Sequence, residues 1–314
     1  MMLNKLGIED VSSPFAQTAP PVVVFVHLVN TGGLSLLRAL RAQYAPVTLL
    51  PGHRFLPVAA GARRIIHIRP DFPEPNDVPF ERQLTATKGE EVRVVVGHFR
   101  FGIHEMLDRP SVYCTMVRDP AQRVVSYYHW LAETCPRVLE SPSRKRQLSF
   151  EEWLDEPRFQ NVVRNEQTQF LSGKGGVAWH PFDDLGCRPD DPELLRLAKA
   201  NVESRFVAVG VTERFDESVV LFQRTFGWRT PFTWDSRRIG RRPVRNPLPS
   251  ALVDKVAELN ELDRDLYRFV SDRFARQLAW YEPTFASDIQ RLKRRNRWVE
   301  EVVRPYYELR RRLA

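Results

Sequence analysis

The chain has 314 residues, 43% of them hydrophobic and 11% aromatic, which is enough to bury one large core and points to a single main domain. Its formal net charge of +8, with arginines outnumbering lysines 40 to 7, favours an anionic partner, because guanidinium forks give paired hydrogen bonds to phosphate or sulfate oxygens. Three widely spaced cysteines without a C-x-x-C pair argue against a disulfide framework or a zinc site, and no run approaches the roughly 18 apolar residues of a spanning helix.

Residues 1–20 are polar, lack a basic head followed by an apolar stretch, and close on Pro20-Pro21, so they read as an irregular leader on a cytoplasmic protein. Val22–Val26 is a short β-branched run, as expected of a parallel strand buried on both faces. After it come a glycine turn, His27 to Gly33, and helical spacing from Leu34 to Tyr44. Val92–Val96 predicts a second strand running into Gly97-His98-Phe99. Val112–Val117 predicts a third, running into Arg118-Asp119-Pro120 and a helix through about Trp130. Phe206–Val211 predicts a further strand, and Thr212-Glu213 opens a helix ending near Gly227. Ser141–Gln147 and Arg237–Arg245 are basic loops. Residues 250–276 have helical spacing, and residues 286–314 read as a basic amphipathic C-terminal helix that offers a surface for peripheral membrane contact. Strands alternating with helices predict an α/β domain over 21–285 with a mainly parallel central sheet flanked by helices. Ligands of such sheets sit at the carboxyl ends of the strands. The motifs below all fall at those ends.

Asn30-Thr31-Gly32-Gly33 between strand and helix is a phosphate-binding arrangement. Glycines let the backbone approach an anion, and the helix amino terminus adds positive potential. No lysine follows the glycines, which disfavours an ATPase or kinase. His27 to Gly33 with Leu34 and Ser35 resembles the 5′-phosphosulfate loop of PAPS-dependent carbohydrate sulfotransferases related to heparan sulfate 2-O-sulfotransferase, approximately H-x-P-K-T-G-[GT]-x-S. Thr31, Gly32, Gly33 and Ser35 match that pattern. Val29 stands where proline is usual, and Asn30 stands where the family has a lysine that steadies the leaving phosphate.

Arg118 to Tyr128 resembles the same family's 3′-phosphate element, R-D-P-x-x-R-x-x-S-x-[YF], at every defining position. The resemblance implies a P-loop-like sulfotransferase fold, with PAPS as cosubstrate and PAP as product. Asn30, Thr31, Gly32, Gly33, Leu34, Ser35, Arg118 and Ser126 are then cofactor-binding residues. Asp119 and Arg123 are expected to cap and brace the helix. Arg241 and Arg242 are candidates to cover the nucleotide and to supply the charge that Asn30 lacks.

Transfer to a hydroxyl requires a base, and Gly97-His98-Phe99-Arg100-Phe101 resembles the family segment carrying a catalytic histidine, so His98 is assigned that role beside Asn30. His27, His104 and Glu105 remain rivals. Arg100 next to His98, and Gln167 and Thr168 in a family-like N-x-Q-T-x-x-L-S-G segment, are expected to face the acceptor. The expected partner is a carbohydrate or glycolipid hydroxyl, without nucleic acid or metal. The alternatives are a PAP- or PAPS-binding protein without turnover, motivated by Asn30, and a basic polyanion-binding protein, motivated by the loops and tail.

Overall fold

The computed structural model describes residues 20–44, 65–68, 92–141, 146–178, 186–228, 249–298 and 301. Among the described residues five strands form one sheet: β1 (Val22–Val26), β2 (Ile65–Ile68), β3 (Val94–Gly97), β4 (Ser111–Val117) and β5 (Phe206–Val211). Their order is β2-β3-β1-β4-β5 and every pairing is parallel, as the alternation of strands and helices predicts. β1 and β5 are buried along their whole length, which explains why both read as unbroken apolar runs. β2 was not predicted. Its four residues, Ile65 to Ile68, are too short to show periodicity and acquire their meaning only from pairing with β3.

The chain leaves β1 toward β2 on one side and leaves β4 toward β5 on the other. Neighbouring strands whose connections diverge in this way open a crevice at their carboxyl ends, the usual ligand position in such sheets. The crevice lies between the ends of β1 and β4. Helix α1 (Gly33–Tyr44) follows β1, and α2 (Pro120–Thr134) follows β4. In α2, Asp119 accepts from the Gln122 amide at 2.9 Å and Pro120 occupies a position where its missing N–H costs nothing.

Short helices α3 (Phe150–Asp155), α4 (Gln160–Val163) and α5 (Glu166–Ser172) come next, then α6 (Pro192–Arg205) before β5 and α7 (Phe215–Phe226) after it. The helical spacing over 250–276 is carried by two helices, α8 (Ser250–Leu259) and α9 (Glu261–Trp280). Asn260, fully buried, breaks them. Its side chain donates to the Val256 carbonyl at 3.0 Å and accepts from the Asn165 amide at 3.0 Å. An apolar spacing that continues through a polar side chain with tertiary partners cannot reveal that break.

Helix α10 (Phe285–Trp298) starts one residue ahead of the expected tail. It is docked on α7 through buried Phe285 and Leu292 and through the Arg224–Asp288 ion pair. Among the described residues no helix is long and apolar enough to cross a membrane. Apart from residue 20, the leader lies outside the described residues.

Candidate functional site

The turn after β1 is built around two left-handed positions, Asn30 at φ 60° and Gly32 at φ 82°. Asparagine is among the few non-glycine residues that tolerate this conformation, because its short polar side chain bonds locally. The turn therefore gives Asn30 a backbone reason to be there. A side chain on Gly32 would crowd Phe215, its Cβ coming within 3.3 Å of the ring. Gly33 is more tightly constrained, since a Cβ there would sit 2.0 Å from Cδ2 and 2.2 Å from Nε2 of His27. The Thr31 hydroxyl is buried and donates to the Leu28 carbonyl at 2.9 Å, so it is engaged within the turn. Leu34 lies in the first turn of α1, and Ser35 is buried beside it. The Ser35 amide donates to the Gly32 carbonyl at 3.1 Å and closes the turn, and a helix amino terminus in this position suits an incoming oxyanion.

Arg118 lies across the crevice, just beyond β4. Its Nη1 donates to the Asn30 carbonyl at 3.0 Å and so joins the two predicted nucleotide elements. Its backbone is clamped by Gln167, whose Oε1 accepts from the Arg118 amide and whose Nε2 donates to the Arg118 carbonyl, each at 2.9 Å. Burial pushes the Arg118 guanidinium below its ordinary pKa, opposed by the charges of Glu213 and Asp119. Arg118 Nε and Asn30 Nδ2 are buried without a hydrogen-bond partner. Two unpartnered donors and a desolvated cation in one crevice fit an anionic ligand, which would satisfy the donors and offset the burial of charge. The Thr212 hydroxyl ties the crevice together from β5, lying 2.6 Å from the Thr31 carbonyl and 2.9 Å from the Val117 carbonyl. Ser126 is half-buried on α2, eight residues beyond Arg118.

The register of β1 and β3 pairs Val26 with Gly97, so His27 and His98 emerge side by side from adjacent strands. Their rings stack with centroids 4.3 Å apart and planes 24° apart. His98 Nδ1 lies 2.7 Å from the His27 carbonyl oxygen. A carbonyl can only accept, so Nδ1 carries the proton and the lone pair of the neutral ring is on Nε2. Burial lowers the His98 pKa to about 4, with the carbonyl contact opposing the shift. The ring is neutral at physiological pH with a fixed tautomer, and the burial that keeps it neutral also makes it a weaker base.

The rival His104 is differently engaged. Its ring Nδ1 lies 2.8 Å from the Tyr113 hydroxyl, and its amide donates to that oxygen at 2.9 Å. Tyr113 precedes the end of β4 by four residues, roughly 13 Å of strand. Glu105 is exposed in the same short 3₁₀ turn.

The three residues expected to face the acceptor are all buried. Arg100 is only 2% exposed, and its Nη1 donates to the carbonyls of Gly175, Gly176 and Ala178. It braces that glycine loop against the His98 segment. Gln167 and Thr168 are also buried and lie behind Arg118. The Thr168 amide and hydroxyl both donate to Asp263 at 2.7 Å, and the Gln167 amide donates to the same carboxylate at 3.2 Å. Asp263, on α9, thereby caps α5 from outside it, a partnership with no local signal because the residues are nearly a hundred positions apart. Arg241 and Arg242 lie outside the described residues. Among the described residues no group of His, Cys, Asp or Glu could hold a metal ion.

A family model described as galactose-3-O-sulfotransferase matches residues 68–304 of the chain. The first turn, Asn30 to Ser35, precedes that match. Among known proteins, galactose-3-O-sulfotransferase 3 of Bos taurus is 26% identical over 191 residues, covering 59% of this chain and 44% of that protein. Galactosylceramide sulfotransferase of Mus musculus is 27% identical over 217 residues, with 67% and 49% covered. Heparin sulfate O-sulfotransferase of Drosophila melanogaster is 24% identical over 217 residues, with 64% and 59% covered. The chain thus spans about half the length of the curated relatives it matches.

Proposed function

Because the chain belongs to the galactose-3-O-sulfotransferase family, we propose that it moves a sulfuryl group from PAPS to a carbohydrate hydroxyl, with a galactosyl group of a glycan or glycolipid as acceptor. The observation that carries this reading is the Arg118 Nη1 contact with the Asn30 carbonyl at 3.0 Å, flanked by two buried donors without partners. In this reading Arg118 and Ser126 hold the 3′-phosphate, and the backbone from Asn30 to Ser35, with the Ser35 hydroxyl, holds the phosphosulfate end. PAPS supplies the activated sulfuryl group, and PAP departs with the electron pair of the broken S–O bond as the acceptor oxygen bonds to sulfur. His98 Nε2 takes the acceptor's proton, and its Nδ1–H stays on the His27 carbonyl as the ring becomes cationic. The exposed arginines of α10, Arg294 and Arg297, suit peripheral contact with a membrane carrying a glycolipid acceptor.

A thermal-shift comparison of PAP, AMP and ATP tests the nucleotide assignment, and radiolabel transfer from PAPS to a galactose-terminated acceptor tests the chemistry. PAP is expected to raise the unfolding midpoint well beyond AMP or ATP, since only PAP engages both ends of the crevice. Equal responses to the three nucleotides, with steeply salt-dependent polyanion binding, would point instead to a basic polyanion-binding protein.

A second reading, a nucleotide-binding protein without turnover, is favoured by Asn30, which carries no charge to place on a departing phosphate. Asn30→Lys separates the two. A lysine at φ 60° is expected to cost about 1–2 kcal/mol of stability. In the transferase reading it adds one preorganised charge and raises turnover, by up to about 100-fold. Absence of labelled product from both forms, with PAP still bound, favours the second reading.

A further inference from the structure

Resting on the transferase reading above, we infer that His27 is a positioning residue for His98, its imidazole acting as a spacer between the first glycine turn and the base. Four contacts converge on this one side chain and its carbonyl. The carbonyl takes the Nδ1 proton of His98 at 2.7 Å. The ring stacks on the His98 ring at 4.3 Å, with Phe25 stacked at 5.6 Å and tilted by 17°. Its Cδ2 edge occupies the space into which a Cβ on Gly33 would project, 2.0 Å from that hypothetical atom.

The hydrogen bond and the stack restrict different motions. A single hydrogen bond fixes which nitrogen of His98 carries the proton, but the ring can still swing about it. A flat surface against the face of the ring removes that swing and aims Nε2 in one direction. Nothing in this role requires His27 to titrate. It requires a planar ring, 5% exposed, held by the β1–β3 ladder through its own amide, which donates to the Gly97 carbonyl at 2.9 Å. The same ring explains why position 33 takes glycine. The turn that receives the anion and the imidazole that receives the proton are spaced by one side chain.

The test compares His27→Ala, His27→Leu and His27→Phe. Leucine fills the slot without a flat face, and phenylalanine restores the face without ring nitrogens. The expected result for Ala and Leu is a fall in kcat of about 100-fold, the order that a 1 Å misplacement costs, with acceptor KM and the PAP-induced midpoint shift little changed. In the substrate-free protein, NMR relaxation of the His98 imidazole should show a rigid ring for wild type and Phe and a mobile one for Ala and Leu, with the Nδ1–H tautomer kept in all four because the His27 backbone carbonyl remains. His27→Phe should recover most of kcat. Wild-type kcat and a rigid His98 ring in Ala and Leu would overturn the inference, as would a Phe variant as impaired as Ala. The NMR measurement needs no substrate, so a wild-type protein with the rigid ring but no PAP binding or label transfer removes the transferase reading alone. Should Ala fail to fold, the contrast between Leu and Phe decides.

Discussion

His98→Ala should lower the rate of sulfate transfer by about 100- to 10,000-fold, the usual contribution of a positioned base, while the PAP-induced rise in unfolding midpoint stays intact. The selectivity of the loss follows from geometry. His98 sits at the end of β3, bonded to the His27 carbonyl, whereas the nucleotide contacts are assigned to the turn after β1 and to the end of β4. His104→Ala is the matched control. That ring is engaged with the Tyr113 hydroxyl well before the end of β4, so its loss should leave the rate within a small factor of wild type.

The pH profile provides a second check. The folded His98 pKa is lowered to about 4 from 6.5, so the Nε2 lone pair survives acidification that would protonate an ordinary histidine. The acid limb of kcat/KM is therefore expected below pH 6.5, approaching 4, and should vanish in His98→Ala. Stability moves the same way. Between those two values the unfolded chain binds a proton that the folded chain refuses, so His98 destabilises the wild type as pH falls from 6.5 toward 4.

The predicted sites were most legible where a motif and its strand coincide. β1 and β5 were located to the residue from their apolar runs, and β4 to within one residue, because strands buried on both faces leave unbroken hydrophobic sequence. Arg118 and Asn30 were both chosen from motifs at strand ends, and the structure brings them into direct contact. Partnerships between distant segments left no trace. Gln167 clamping Arg118, Asp263 capping α5 and Thr212 bridging two strand ends all involve polar side chains whose local sequence says only helix or turn. The burial of Arg100, Gln167 and Thr168 is illegible in the sequence for the same reason. A polar residue in a family-like segment reads as a surface contact until burial shows that it supports the backbone from behind. The His27–His98 stack depended on β1–β3 register, and its sequence sign was two histidines each directly following a buried strand.

The largest stability effect is expected from the ion pair beneath α2. Arg123 is fully buried and contacts the Glu166 carboxylate, while its Nη2 donates to the Val162 carbonyl at 3.0 Å. It thereby joins α2 to α4 and α5, and α5 carries the Gln167 that clamps Arg118. Arg123→Met leaves Glu166 in an apolar setting without its cation, and breaking a buried pair from one side costs about 3–5 kcal/mol. Chemical denaturation should register that loss, with PAP binding weakened as the clamp loosens. Burial already pushes the Glu166 pKa upward and Arg123 is the main group holding it down. Without the arginine the carboxyl must take up a proton to fold. In wild type the folded Glu166 pKa is already raised to about 8, so both proteins lose stability together up to that pH, and the deficit of Arg123→Met should widen as pH rises past about 8. Arg123→Met with Glu166→Met removes both charges and fills the space with apolar atoms. That pair should cost much less than the two single changes added together, because most of each single loss is the stranded partner rather than the pair itself.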